Sequence, residues 1–112
     1  MSTQNHFPDN WVVLKIKQDK LDNGYYRVLA GWSGGYVNGD AWRINSGIKS
    51  CEKDGDYYKF KGYSGSVYIC HQNSYRLSMA TAPMLNSLLN NQSFEGQVSL
   101  IDSNTNWLEV NW

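Results

Sequence analysis

Between Trp11 and Lys17 apolar and polar positions alternate: Val12, Leu14 and Ile16 take one side of a pleat while Val13, Lys15 and Lys17 take the other. That two-residue rhythm predicts a strand. It returns from Tyr25 to Trp32, where Tyr26, Val28, Ala30 and Trp32 oppose Tyr25, Arg27 and Leu29, and Asp22-Asn23-Gly24 between the two runs is a hairpin-turn signal. From Ala41 to Cys51, Trp42 and Ile44 oppose Arg43 and Asn45, and Gly47 marks a bulge that resets the alternation. Asp54-Gly55 then turns the chain into Tyr57–Lys61, with Tyr58 and Phe60 inward and Lys59 and Lys61 outward. Ser64-Gly65 forms a corner. Beyond it Ser66–His71 and Tyr75–Met79 flank the short polar loop Gln72-Asn73-Ser74. The last pair of strands expected is Gly96–Ile101 and Trp107–Trp112, around Asp102–Asn106, with Leu108, Val110 and Trp112 on one face.

One segment breaks the alternation. In Ala82–Asn90, Leu85, Leu88 and Leu89 recur at spacings of three and four, Pro83 suits a first turn, Thr81 is a capping residue and Asn90-Asn91 a stop. So short a helix depends on laying its leucines on a sheet. The fold expected is therefore α+β, mostly β: a curled antiparallel, meander-like sheet of about seven to eight strands roofed by one short helix. A partly closed all-β barrel is the alternative, because so many consecutive strands must pair or cover their edges. A length of 112 residues suits a single domain, 1–112, with the polar residues 1–10 expected to fray.

Charge narrows the partners. Ten basic and ten acidic side chains cancel to a formal net charge of zero, which leaves no excess to neutralise a phosphate backbone or an acidic bilayer. Nucleic acid and membrane are thus not expected as partners. No apolar run reaches membrane-spanning length, and no basic stretch followed by an apolar one opens the chain, so a cytoplasmic location is expected. Cys51 and Cys70, two strands apart in the expected order, read as free thiols in a sheet. With two isolated histidines there is no ligand spacing for a metal, and no motif calls for a cofactor.

The candidate chemistry concentrates between Gly31 and Gly47, which holds five glycines, two tryptophans, a tyrosine, an Asp and an Arg. Gly34-Gly35 begins no phosphate-binding motif. Trp32, Tyr36 and Trp42 form a candidate aromatic platform for a protein or a small ligand, with Asp40 and Arg43 at its rim. Against this stands a plain long hairpin whose tryptophans are core. Cys70 and His71 are adjacent, so on a strand they point to opposite faces and make no nucleophile–base pair. His6 lies in the tail and is expected to be inert. Asp19, Asp22, Asp54, Asp56 and Asp102 sit where turns use them, and Ser66 lacks the context of a nucleophile elbow.

Gly39-Asp40-Ala41-Trp42-Arg43-Ile44-Asn45-Ser46-Gly47 together with Ser64-Gly65-Ser66-Val67-Tyr68, about an eighth of the chain, resembles small uncharacterised bacterial proteins carried on mobile, integron-type gene cassettes. The resemblance implies a cytoplasmic bacterial accessory protein without a cofactor, and it assigns no functional residue. Three functional classes follow. The first is a non-catalytic binding or adaptor module that uses its aromatic residues. The second is a homodimer paired through an edge strand, expected at the end of the chain, where no charge follows Glu109. The third is a small hydrolase built on Asp40 with His71 or Glu109.

Overall fold

The computed structural model describes residues 5–17, 24–35, 39–78, 81–90, 97–110 and 112, with residues 33–35, 39–41 and 97 described in backbone only. Its elements run β1 (Asn5–His6), β2 (Asn10–Lys17), β3 (Tyr25–Gly35), β4 (Gly39–Ile44), β5 (Ile48–Asp54), β6 (Tyr57–Gly62), β7 (Val67–His71), α1 (Thr81–Asn90) and β8 (Gln97–Leu100). The class is the one expected, α+β and mostly β, with one helix and no closed barrel among the described residues. The strands divide between two four-stranded sheets, β1-β7-β6-β5 and β4-β3-β2-β8, instead of forming one curled ladder. Every strand pair is antiparallel except β1 with β7.

Burial explains the layering. The odd-numbered face of β2 (Trp11, Val13) joins Val28 and Ala30 of β3 and meets Ile48, Phe60, Tyr68 and Cys70 of the other sheet. Its even-numbered face (Val12, Leu14, Ile16), with Leu29 and Val98, receives Leu85 and Leu88 of α1. β2 is therefore apolar on both sides because its sheet is the middle of three layers. Leu89 packs half-buried beside the other two leucines, as the stripe predicts. The helix begins at Thr81, one residue before the expected Ala82, and its cap lies three residues before the expected one: Ser78 Oγ accepts the Thr81 N–H at 3.2 Å, and Thr81 Oγ1 accepts the Ser78 N–H at 2.7 Å. Ser78 is thus the cap, with Thr81 reciprocating as the third residue of a capping box does.

The expected Ala41–Cys51 strand is broken where the chain changes sheets. Asn45 Oδ1 accepts the N–H groups of Val28 (2.9 Å) and Gly47 (3.2 Å), ending β4, and Gly47 turns with φ +134° before β5 begins in the other sheet. A register shift between Ile48 and Ser50 follows the predicted bulge. The β5–β6 hairpin forms where expected, with its turn at Gly55-Asp56, one residue later than Asp54-Gly55; Phe60 is buried, and Lys59 and Lys61 reach the exposed carboxylates of Asp54 (3.0 Å) and Glu52 (3.4 Å). Cys51 and Cys70 stand on β5 and β7 with β6 between them, both free.

Three expectations are corrected. Residues 5–10 do not fray: Asn5 and His6 pair with Val67 and Tyr68, and Asn10 is buried at the start of β2; residues 1–4 lie outside the described residues. Tyr75–Met79 is not a strand; it makes a single parallel bridge, Tyr75 to Trp11, and Met79 is outside the described residues. The described residues of Trp107–Trp112, all but residue 111, form no strand either. Asp102 Oδ1 accepts the Asn104 N–H (2.8 Å) and Asn106 Oδ1 accepts the Leu108 N–H (3.2 Å), so side-chain turns replace ladder bonds. They drop Trp107 into the inter-sheet core, 5.6 Å from Trp11 and 5.4 Å from Tyr75 between ring centroids, and leave Leu108 exposed. Burying a tryptophan yields more than extending a two-stranded edge. Asp22-Asn23 falls outside the described residues; Gly24 after it has φ +84°.

Candidate functional site

The β3–β4 hairpin carries the candidate residues, and its register decides which of them can act together. Leu29 pairs with Ile44, Ala30 with Arg43, Gly31 with Trp42 and Trp32 with Ala41. Paired residues share a face, and neighbours along a strand alternate. Trp32 and Arg43 therefore belong to the inter-sheet face and Trp42 to the helix face, so these three form no single platform. Tyr36 and the side chain of Asp40 lie outside what is described.

On the inter-sheet face the surface of Trp32 is already used. Its Nε1–H donates to the Phe7 carbonyl at 2.9 Å, and the His6 ring stands edge-on to it at 6.3 Å. His6 also stacks on Tyr68 with centroids 4.7 Å apart. Trp32 and Tyr68 thereby dock the N-terminal segment, a role for His6 that nothing in its sequence neighbourhood announced. Burial first and the nearby Arg43 charge second hold the His6 imidazole below its ordinary pKa. Burial pushes the Tyr68 phenol up.

Trp42 is different. It is 45% exposed on an edge strand, whereas Trp11 and Trp107 are buried and Trp32 and Trp112 half-buried. It stands opposite Gly31, over which Ser78 and Thr81 seat the start of α1: a β-carbon at Gly31 would lie against Asn10 Oδ1 and 2.8 Å from Thr81 Cγ2. The backbone of β4 is also available. The Asn45 N–H donates to the Val28 carbonyl at 3.1 Å and the Val28 N–H returns to the Asn45 side chain, which fixes 28/45, 30/43 and 32/41 as the bonded pairs of this ladder. The N–H and C=O groups of Trp42 and Ile44 consequently point away from β3, and no described residue pairs with them.

A separate groove of about 410 Å³ opens where two segments share the far edge of β2. Trp11 bonds the 74–76 segment, receiving the Arg76 N–H and donating to the Ser74 carbonyl, while Val13 onward pairs with β8. Between them the Tyr75 hydroxyl accepts the Val13 N–H at 3.1 Å and donates to the Ile101 carbonyl. Val12, Leu77, Leu100 and Ile101 give the groove apolar walls, with Arg76 and Asp102 at its rim. Of the residues expected to bind a ligand, Trp32, Trp42 and Arg43 do not line it.

Neither thiol is poised to react: burial, reinforced by Glu52, pushes Cys51 up to about 12, and burial raises Cys70 further from reach. His71 Nδ1 accepts the Asn73 N–H at 3.1 Å and its ring meets Tyr57 edge-on, so it serves its own hairpin; Glu109 is exposed in a turn. Among the described residues no three His, Cys, Asp or Glu side chains come together, and no helix is long and apolar enough to cross a membrane. No protein-family model, curated protein or solved structure matches the chain.

Proposed function

We propose that this protein is a non-catalytic interaction module whose binding element is the edge strand β4, presenting to an extended segment of a protein Trp42 and Arg43 beside backbone groups with which no described residue pairs. The observation that carries the proposal is the coincidence of a 45% exposed tryptophan with the outward N–H and C=O groups of residues 42 and 44 on one strand. Strand addition at such an edge takes affinity from main-chain hydrogen bonds and selectivity from alternate side chains. A large aromatic is the side-chain type that most often dominates a protein interface. Arg43, exposed on the opposite face, supplies a charge for discrimination.

The test is a photoreactive benzoylphenylalanine placed at position 42 in producing cells, beside the same group at Lys53 on β5 as a control. Adducts of higher mass are expected from position 42 and not from position 53. Equal or absent cross-linking at the two sites would overturn the proposal.

A further inference from the structure

Among the described residues four strands stand at sheet edges, and they are not equally guarded. β1 is two residues long, and β8 is four. β5 presents Lys49, Glu52, Lys53 and Asp54 exposed, the charged dressing that discourages edge pairing. β4 has six residues, Arg43 as its one cation, no proline, and the exposed Trp42. It is the longest edge without lysine.

We infer that β4 pairs with β4 of a second copy, antiparallel about a twofold axis through Trp42, joining two four-stranded sheets into one of eight strands; this rests on the proposed binding role of that edge. Geometry and charge select the register. Because the outward-facing backbone groups belong to even-numbered residues, bonded pairs across the seam must join 40, 42 and 44 of one copy with 40, 42 and 44 of the other. Centring on Trp42 pairs 42 with 42 and 40 with 44, engaging all three outward positions of each strand. It sets Arg43 opposite Ala41, so no guanidinium faces its own copy. A register centred on Arg43 would place two like charges directly opposite, which is destabilising. One centred on Ala41 leaves Ile44 unpaired.

The two Trp42 rings then lie across the axis on the helix face, where each removes from water a surface that the monomer exposes. With a formal net charge of zero, two copies meet without long-range repulsion. The seam is isologous, so assembly closes at the dimer. It is also small, below the roughly 1,200 Å² of a standard interface, which places the dimer among weak, concentration-dependent associations.

The experiment is sedimentation velocity on the full chain over a hundredfold concentration range reaching about 1 mM, a range suited to a seam of this size. The wild-type mass is expected to move from 12.8 kDa toward twice that value as concentration rises. Trp42→Pro removes an outward N–H that β3 does not use, a substitution an edge strand tolerates, and is expected to remain monomeric with an unchanged far-UV spectrum. Trp42→Lys, which keeps the backbone donor, supplies the same comparison if the proline variant does not fold. A wild type that stays monomeric throughout, or a dimer that both variants retain, overturns the inference. Monomeric behaviour together with position-42 adducts to a different protein would overturn the twofold pairing while leaving the binding role of β4 standing.

Discussion

Tyr75 offers the sharpest test of how the central sheet is held. Its hydroxyl stands between β2 and the chain just past β8, accepting the Val13 N–H at 3.1 Å and donating to the Ile101 carbonyl, while the Ile101 N–H bonds the Val13 carbonyl directly at 3.0 Å. Tyr75→Phe deletes that one oxygen but leaves the ring wedged in place, so the two backbone groups cannot close on each other. Each hydrogen bond is worth about 1 kcal/mol net, and a buried polar group left bare costs about 1–3 kcal/mol. With two groups stranded at a half-buried site, the expected loss is about 2–4 kcal/mol, a large share of a stability of order 5–15 kcal/mol. Urea unfolding followed by tryptophan fluorescence reads it well, because Trp11 and Trp107 lie 4.7 and 5.4 Å from the Tyr75 ring. The midpoint should fall with the slope unchanged, and Tm by about 8–20 °C. Tyr63→Phe, at a side chain 62% exposed, is the control and should move stability by less than about 0.5 kcal/mol. If Tyr75→Phe matches that control, the hydroxyl bridge does not hold the strands. Alkaline titration gives a second reading. Burial pushes the Tyr75 phenol from 10.0 up to about 12, with Asp102 adding to the rise and the Val13 N–H opposing it. A raised phenol contributes stability that is complete below the unfolded value and is lost as pH climbs toward the folded one. The Phe variant should lack that part of the alkaline loss.

Gly31→Ala should destabilise by more than about 2 kcal/mol, because the new methyl meets Asn10 Oδ1, Thr81 Cγ2 and Ser78 Oγ where α1 begins on the sheet; a urea midpoint equal to wild type would show that the helix start is not seated as described. His6 should titrate by NMR with a midpoint below its ordinary 6.5, since burial and Arg43 both disfavour its charged form. The docked N-terminal segment is then fully stabilised above that value and loses stability as pH falls toward the folded midpoint. His6→Phe should remove the dependence, and a wild-type midpoint at or above 6.5 would contradict the docking.

The periodic segments were legible because their local pattern and their tertiary role agree. Tyr58 and Phe60 face in and Lys59 and Lys61 face out on β6, and the leucine stripe of α1 lies on β2 and β3. The candidate site was legible only in part. The segment from Gly31 to Gly47 does hold the exposed tryptophan, but whether Trp32 and Trp42 share a face depends on pairing across the hairpin, and their pairing with Ala41 and Gly31 separates them. His6 reads as an inert tail residue because its partners, Tyr68 and Trp32, are far away in the chain.

The sequence by itself determined the local vocabulary: period-two runs, turn residues and one amphipathic helix, all set by interactions between near neighbours along the chain. Only the tertiary structure decided which runs join which sheet, that β2 is covered on both faces, and that Trp107 enters the core when it could have extended an edge. Those outcomes depend on competition between distant surfaces for the same burial and the same backbone partners. The Asn45 side chain taking the Val28 N–H and the Tyr75 hydroxyl taking that of Val13 are settled by contacts 17 and 62 residues apart, which no local pattern records.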